Sequence, residues 1–247
     1  GMFPKADIFT RDDFNKEKAR NYDLIISIGG DNHFQAIGHY VGEIPILGVN
    51  SDNMTSTGAL LKFIPQDMKR YANRILRRKL TYEKWIKARA HLNDRLVEDA
   101  VAVFSLSNIE DDMMTRYKLK IEGKSEVQKS SGILVTTGAG STGWYKDAGI
   151  FLPLIVTGFY KQPTLPFAPK EKRLMTLTRE PYDGKECVYR MMNLMISEGE
   201  ELEFIYWANE NAKLSSDSVM RYVVSEGDRI RFSVSPDVLN VVTLDKI

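Results

Sequence analysis

Hydrophobic and polar positions along this chain change their period near residue 80, and the elements they predict change with it. Residues 24–28, Leu-Ile-Ile-Ser-Ile, form a short apolar run rich in β-branched side chains, which suits a strand covered on both faces of a parallel sheet. The run ends in Gly29-Gly30-Asp31-Asn32. Two glycines there allow a sharp turn and let a phosphate approach bare backbone. They also place Asp31 at the carboxyl end of the strand, the side on which open α/β sheets bind ligands. Phe34, Ile37 and Val41 then share one face at helical spacing, so a helix follows with its N–H groups and dipole aimed at the turn. Residues 44–50 predict the next parallel strand, which ends on Asn50 as a second crevice residue. Residues 66–79 predict a helix whose buried stripe is Met68, Tyr71, Ala72, Ile75 and Leu76, with Lys69, Arg70, Arg74, Arg77 and Arg78 on a solvated face. Upstream, residues 6–9 predict a short strand and residues 11–22 a connecting helix with Asp12 or Asp13 near its cap.

From residue 81 onward the pattern is that of extended segments. Residues 82–91, 96–106 and 116–121 alternate as strands do, and Glu122-Gly123-Lys124 is a hairpin signal. An apolar strand following Lys129-Ser130-Ser131-Gly132 runs into the Gly/Ser/Thr-rich loop over 137–145, which ends in Trp144 and Tyr145. A helix is predicted to begin at 144–151, and 157–172 is a proline-rich ordered loop. Residues 188–197, 202–208, 219–224 and 229–234 return to strand patterns, the last two separated by the turn Ser225-Glu226-Gly227-Asp228. Met191, Met192 and Met195 are expected as core filler. The expected organisation is an α/β unit over 1–80 and a β-rich unit over 81–247.

Composition narrows the partners. The chain has 247 residues, 43% of them hydrophobic, enough for a real core. Lys+Arg 34 against Asp+Glu 33 gives a net charge of +1, without the basic excess that nucleic-acid binding calls for. The single cysteine, Cys187, has no intramolecular partner, and no Cys/His spacing suggests structural zinc. A reducing, cytoplasmic setting is expected. No apolar run approaches the roughly 18 residues of a membrane span, so no membrane partner is expected. Gly1 ahead of Met2 reads as a tag remnant.

Two motifs taken together, the Gly29-Gly30-Asp31 turn and the Lys129-Ser130-Ser131-Gly132 to Tyr145 stretch, resemble the NAD kinase family. That family pairs a GGDG(T) turn in a Rossmann-like α/β domain with a TGSTAY-like loop in an all-β, sandwich-like domain, a plan shared with diacylglycerol kinases. The branch that includes animal mitochondrial NAD kinase is the most similar. The likeness extends to Gly48-Val49-Asn50-Ser51-Asp52, to Phe167-Ala168-Pro169, to Arg179-Glu180-Pro181 and to Glu226-Gly227-Asp228. It implies transfer of a phosphoryl group from ATP or polyphosphate to the 2′-hydroxyl of the adenosine ribose of NAD, with Mg²⁺ carried by the nucleotide and helped by Asp31. By the same likeness Asp31 is the catalytic base. Gly29, Gly30, Asn32, His33, Asn50, Asp99, Ser131, Thr137, Gly140, Ser141, Thr142, Trp144 and Tyr145 are the nucleotide-binding candidates, the two aromatics lying against adenine. The resemblance also implies a homo-oligomer, dimer or tetramer, assembled through the β domain.

The chain departs from the family pattern in four places. Asn32-His33 stand where a glycine and a threonine are usual, which predicts a narrower phosphate cradle. Asp99-Ala100 stand where an Asn-Glu pair holds the ribose hydroxyls, and loss of a charge-assisted acceptor is worth about 1.5–3 kcal/mol. Glu98, or Asn108 with Glu110, are the other acceptors nearby. Gly143-Trp144 replaces Ala-Tyr, and the family's first sheet strand has no counterpart, so the sheet is either smaller or completed by another chain. Two other functions are consistent with these motifs: a lipid or sphingoid kinase, which shares the GGDG turn, and a degenerate dinucleotide-binding protein without turnover.

Overall fold

The computed structural model describes residues 3, 6–110, 112–149, 166–182, 184 and 189–243. The chain divides into two compact units, Gly1–Trp85 with Val238–Ile247, and Ile86–Asp237. The division thus falls five residues beyond the expected 1–80 boundary, and the carboxyl end returns to the first unit. Cys187, the expected 157–165 part of the proline-rich loop and the end of the helix expected at 144–151 lie outside the described residues.

In the first unit β1 (Ile25–Gly29) pairs in parallel with β2 (Ile46–Asn50) from Ile25↔Ile46 to Gly29↔Asn50. The end of the last strand, β13 (Arg229–Thr243), runs parallel to β2 at Val241↔Ile46. Helix α2 (Asp31–Gly38) follows β1 directly, and α3 (Pro65–Leu76) follows β2. The expected stripe of α3 buries Met68, Tyr71 and Ile75, which join Leu47, Val49, Phe63 and Val242 in one cluster, while Leu76 lies exposed at the helix end. Gly48 lets α2 close on β2, because a Cβ there would sit 2.8 Å from the side chains of Phe34 and Leu61. The amino-terminal expectations need correction. Residues 6–9 form no strand and are exposed, and the helix is only α1 (Lys16–Ala19). Its cap is Asn15, which accepts the Lys18 N–H at 2.9 Å, while Asp13 instead accepts the Thr10 hydroxyl at 2.6 Å.

Among the described residues the second unit is all-β apart from one short helix and a 3₁₀ turn. Strand β3 (Thr81–Leu92) enters from the first unit and makes a short hairpin with β4 (Arg95–Leu96). The main sheet contains β5 (Val103–Asn108), β6 (Thr115–Ile121), β7 (Lys124–Thr136), β10 (Glu201–Tyr206), β11 (Ala212–Ser216) and β12 (Met220–Val224). Its order is β13-β10-β6-β7-β5-β11-β12, and β8 (Arg173–Pro181) with β9 (Met195–Ser197) branches from β7. Strand β7 changes partner midway, pairing β6 up to Ser130 and β5 from Ile133. Gly132 makes the switch at φ +138, where a Cβ would lie 1.9 Å from the Leu106 carbonyl oxygen. The larger of its cores includes Phe104, Tyr117, Leu119, Phe204, Leu214 and Phe232, and a smaller one holds Leu134, Leu177 and Met192.

Strands β8 and β11 were not predicted, and the reason is chemical. Their inward positions include Thr176, Thr178 and Ser216, all buried, so the apolar alternation is broken. Strand β13 is far longer than the expected 229–234, and 188–197 shrinks to β9. The Ser225–Asp228 turn closes with Asp228 N–H to Ser225 O at 3.0 Å, yet the strands on either side pair with different neighbours. Met191 and Met192 are core residues as expected, whereas Met195 is 50% exposed.

Candidate functional site

The first cluster surrounds Asp31. Strand β1 ends at Gly29, and Gly30 is the N-cap of α2, with φ −98 and ψ −178. Neither glycine uses a left-handed conformation. Gly30 has no other atom within 4 Å of where a Cβ would stand, so its contribution is open space over the turn. Asn32 lies in the helix and is exposed, so no positive φ is needed there. No side chain caps α2, leaving its first N–H groups without helical acceptors.

The Asp31 carboxylate is half-buried and accepts two backbone N–H groups, Ala59 on Oδ2 and Leu60 on Oδ1, each at 3.0 Å. Each oxygen keeps further acceptor capacity. The donors belong to the turn between β2 and α3, and Asn50 shapes that turn. Its Nδ2 donates to Ser56 O at 3.0 Å and its Oδ1 accepts Asp52 N–H at 3.1 Å. Gly58, at φ +55, packs on it so closely that a Cβ would be 2.4 Å from Asn50 Nδ2. Asn50, expected as a ligand contact, is buried and organises the loop that holds Asp31. His33 is half-buried beside Gly29. Its pKa is lowered, first by burial and then by the positive charge of Arg11.

The second cluster is the loop after β7. Thr137 is buried, and its hydroxyl donates to Val101 O at 2.7 Å. Ser141 is buried as well. Its hydroxyl donates to Gly138 O at 2.7 Å and accepts the Phe167 N–H at 3.0 Å. Gly138 and Gly140 press on backbone, since a Cβ on either would lie 2.2 Å from the carbonyl oxygen of Ala168 or Ala102 respectively. The hydroxyls expected to meet a ribose therefore shape the loop from inside. The exposed groups are Thr142, Gly143 and the Trp144 ring at the start of α4 (Trp144–Gly149). Trp144 is 43% exposed, and the Arg179 guanidinium lies 4.7 Å from its ring centroid. Tyr145, expected against adenine, is instead a core residue with Leu134, Leu177 and Met192, and burial pushes its pKa up to about 12.

Ser131 is half-buried on β7 beside Ser130, which is buried and bonded to the Tyr117 hydroxyl at 2.7 Å. Asp99, expected at the ribose hydroxyls, is engaged elsewhere. Arg89 reaches its two oxygens at 3.1 and 2.9 Å, and the Ser235 hydroxyl donates to Oδ2. Asn108 is likewise buried, with Oδ1 accepting the Glu110 N–H at 2.9 Å. The sequence reading missed Arg179 as the cation over Trp144 and Asp217 as a buried carboxylate. The Trp144 position carried no signal for the former, and β11 was not recognised for the latter. Among the described residues no three His, Cys, Asp or Glu side chains gather as a metal-ligand set, and Asp31 offers a single carboxylate.

Comparison with known proteins follows the same division. Residues 2–80 match the family model for the ATP-NAD kinase N-terminal domain. The NAD kinase of Methanopyrus kandleri is 28% identical over 152 residues, covering 60% of this chain and 51% of that protein. The chain thus spans about half the length of this relative. Among solved structures, yeast NADH kinase complexed with NADH superimposes with a TM-score of 0.73 at 16% identity, over 91% of this chain and 62% of the other. An NAD kinase from Archaeoglobus fulgidus in complex with ATP gives 0.70 at 19% identity, over 94% and 82%. The α/β-plus-β fold is therefore that of the NAD(H) kinases.

Proposed function

We propose that this chain, whose sequence matches support a place in the NAD kinase family, is an ATP-dependent NAD kinase. The observation that carries the reading is the half-buried Asp31 carboxylate, fixed by two N–H groups at an open Gly30 and an uncapped helix start. In this reading an Asp31 oxygen takes the proton of the adenosine 2′-hydroxyl. The ribose 2′-oxygen freed of that proton then bonds to the γ-phosphorus of ATP, and the bond from that phosphorus to the β–γ bridging oxygen breaks as ADP leaves with the electron pair. Positioning and charge stabilisation do most of the work in such transfers. The α2 N-terminus and the open backbone at Gly30 suit a phosphate. The exposed Trp144 ring, with the Thr142 hydroxyl oxygen beside it, which donates to Ala139 O at 3.3 Å and keeps acceptor capacity, is what the loop offers to the dinucleotide.

A single carboxylate fits Mg²⁺, which favours one or two carboxylates, waters and substrate phosphates over an all-protein cage. When bound it would neutralise charge on the transferred phosphoryl group, with Asp31 as its protein ligand. Asp99 and Tyr145 fall outside the ligand set in this reading, and Asn50 acts through the loop. The motif likeness extends the proposal to the branch that includes animal mitochondrial NAD kinase and to a homo-oligomer built through the second unit, and the single cysteine extends it to a reducing, cytoplasmic setting. Polyphosphate is the other donor class. Neither a lipid or sphingoid kinase nor a degenerate dinucleotide-binding protein is favoured. Calorimetric titration with NAD and with a sphingoid base tests the assignment. Saturable heat with NAD alone supports it, and heat with the lipid alone replaces it.

A further inference from the structure

The turn from β11 into β12 is built with both central residues left-handed, Asp217 at φ 50 and Ser218 at φ 58, and Val219 N–H closes it on Ser216 O at 2.9 Å. That is the backbone of a type I′ turn, which normally uses Asn-Gly or Asp-Gly. A serine in the second position is held there against its own preference, and such strain persists only when surroundings over-determine it. The surroundings are specific. The Asp217 carboxylate, 6% exposed, accepts three successive backbone N–H groups: Val101 on Oδ2 at 2.6 Å, and Ala102 and Val103 on Oδ1 at 2.9 and 2.7 Å. Three converging N–H groups form an anion-binding concavity, and here the chain fills it with its own side chain.

The same three-residue segment carries the glycine-rich loop on its carbonyl oxygens. Val101 O accepts the Thr137 hydroxyl at 2.7 Å, and Ala102 O accepts the Thr137 N–H at 2.9 Å and the Thr136 hydroxyl at 3.1 Å. Gly140 packs against that Ala102 oxygen with no room for a Cβ. One peptide layer therefore separates a fixed carboxylate from the loop; the Val101 and Ala102 bonds to the carboxylate and the Thr136 and Thr137 hydroxyl bonds are buried, and the Val103 bond is partly so. We infer that Asp217 is a positioning residue for the 137–143 loop: its carboxylate fixes the 101–103 backbone, and that backbone sets the loop. The link to dinucleotide affinity rests on the function proposed above; the link to loop geometry does not.

Asp217→Asn is the informative variant. Asparagine tolerates the left-handed backbone, so the turn survives, but the amide replaces an acceptor oxygen with donors that face backbone N–H groups. Hydrogen exchange is measured first, without ligand. The Thr137, Gly140, Ser141 and Gly143 amides, all bonded within the loop or to Ala102, are expected to exchange at least tenfold faster in the variant. Amides of Leu119 and Ile121 are the reference for global stability. Leu119→Val, a core change away from the loop, controls for general destabilisation and is expected to change the loop and reference amides alike. Equal acceleration of loop and reference amides in Asp217→Asn, or none, would overturn the inference. If Asp217→Asn does not fold, Asp217→Glu keeps the charge with displaced oxygens and must show the same selective rise in smaller measure. NAD titration is measured second. Selective loop acceleration with a tenfold weaker NAD affinity supports both readings. The same acceleration with NAD affinity unchanged, or with no NAD binding to the unaltered protein either, upholds the positioning role and rejects the loop as a dinucleotide site.

Discussion

Replacing Asp31 by asparagine separates its two duties. In the folded protein each carboxylate oxygen accepts one N–H, from Ala59 and from Leu60. Asparagine keeps one acceptor and turns its NH₂ toward the other donor. One unsatisfied N–H in a half-buried place costs about 1–3 kcal/mol of stability. The proposed proton transfer costs far more in rate. A general base contributes roughly 10²- to 10⁴-fold, which corresponds to about 2.7–5.4 kcal/mol of barrier. The comparison variant is Asn50→Ala, which frees the loop presenting the two donors and leaves the carboxylate in place. Urea unfolding and NADP formation are measured on both. Asp31→Asn is expected to lose turnover by a hundredfold or more while remaining folded and able to bind NAD. Asn50→Ala should be comparably destabilised and lose less turnover per folded molecule than Asp31→Asn. Equal loss of turnover in the two would make Asp31 a loop anchor and refute its role as base.

Three other outcomes follow from the geometry. Gly140→Ala forces a Cβ to 2.2 Å from the Ala102 oxygen and should destabilise the second unit by about 1–3 kcal/mol; Gly143→Ala, whose nearest neighbour is 4.0 Å away, should leave urea unfolding unchanged. Asp99→Ala strips Arg89 of its buried partner, leaving Asp237, and should destabilise by about 3 kcal/mol without changing NAD affinity measured by calorimetry. His33 has a lowered pKa, so the unfolded chain binds its proton first as pH falls through the ordinary value of 6.5; the native state loses stability below that pH, and His33→Gln should flatten this part of a stability-versus-pH curve.

The first unit was legible where periodicity is simple. The β1 run, the α2 face of Phe34 and Ile37, and the α3 stripe each satisfy one period over one element. The second unit was legible only where inward positions are apolar; buried Thr176, Thr178 and Ser216 concealed β8 and β11. The chemistry divided in the same way. Asp31 stands out because it follows a strand and two glycines, but its bonds to residues 28 and 29 positions away are beyond any local pattern. Thr137 and Ser141 carry hydroxyls of the right type at the right place, yet a sequence does not say whether a hydroxyl faces a ligand or the carbonyl behind it. The same holds for Asp99, whose partners Arg89 and Ser235 come from strands on either side of it in sequence.

The decisive experiment incubates the protein with ATP, Mg²⁺ and NAD and detects NADP with an NADP-specific dehydrogenase. ATP- and NAD-dependent accumulation of NADP, abolished by Asp31→Asn, is the predicted result. A folded protein that binds both nucleotides and forms no NADP, or that forms it equally well without the Asp31 carboxylate, would contradict the assignment.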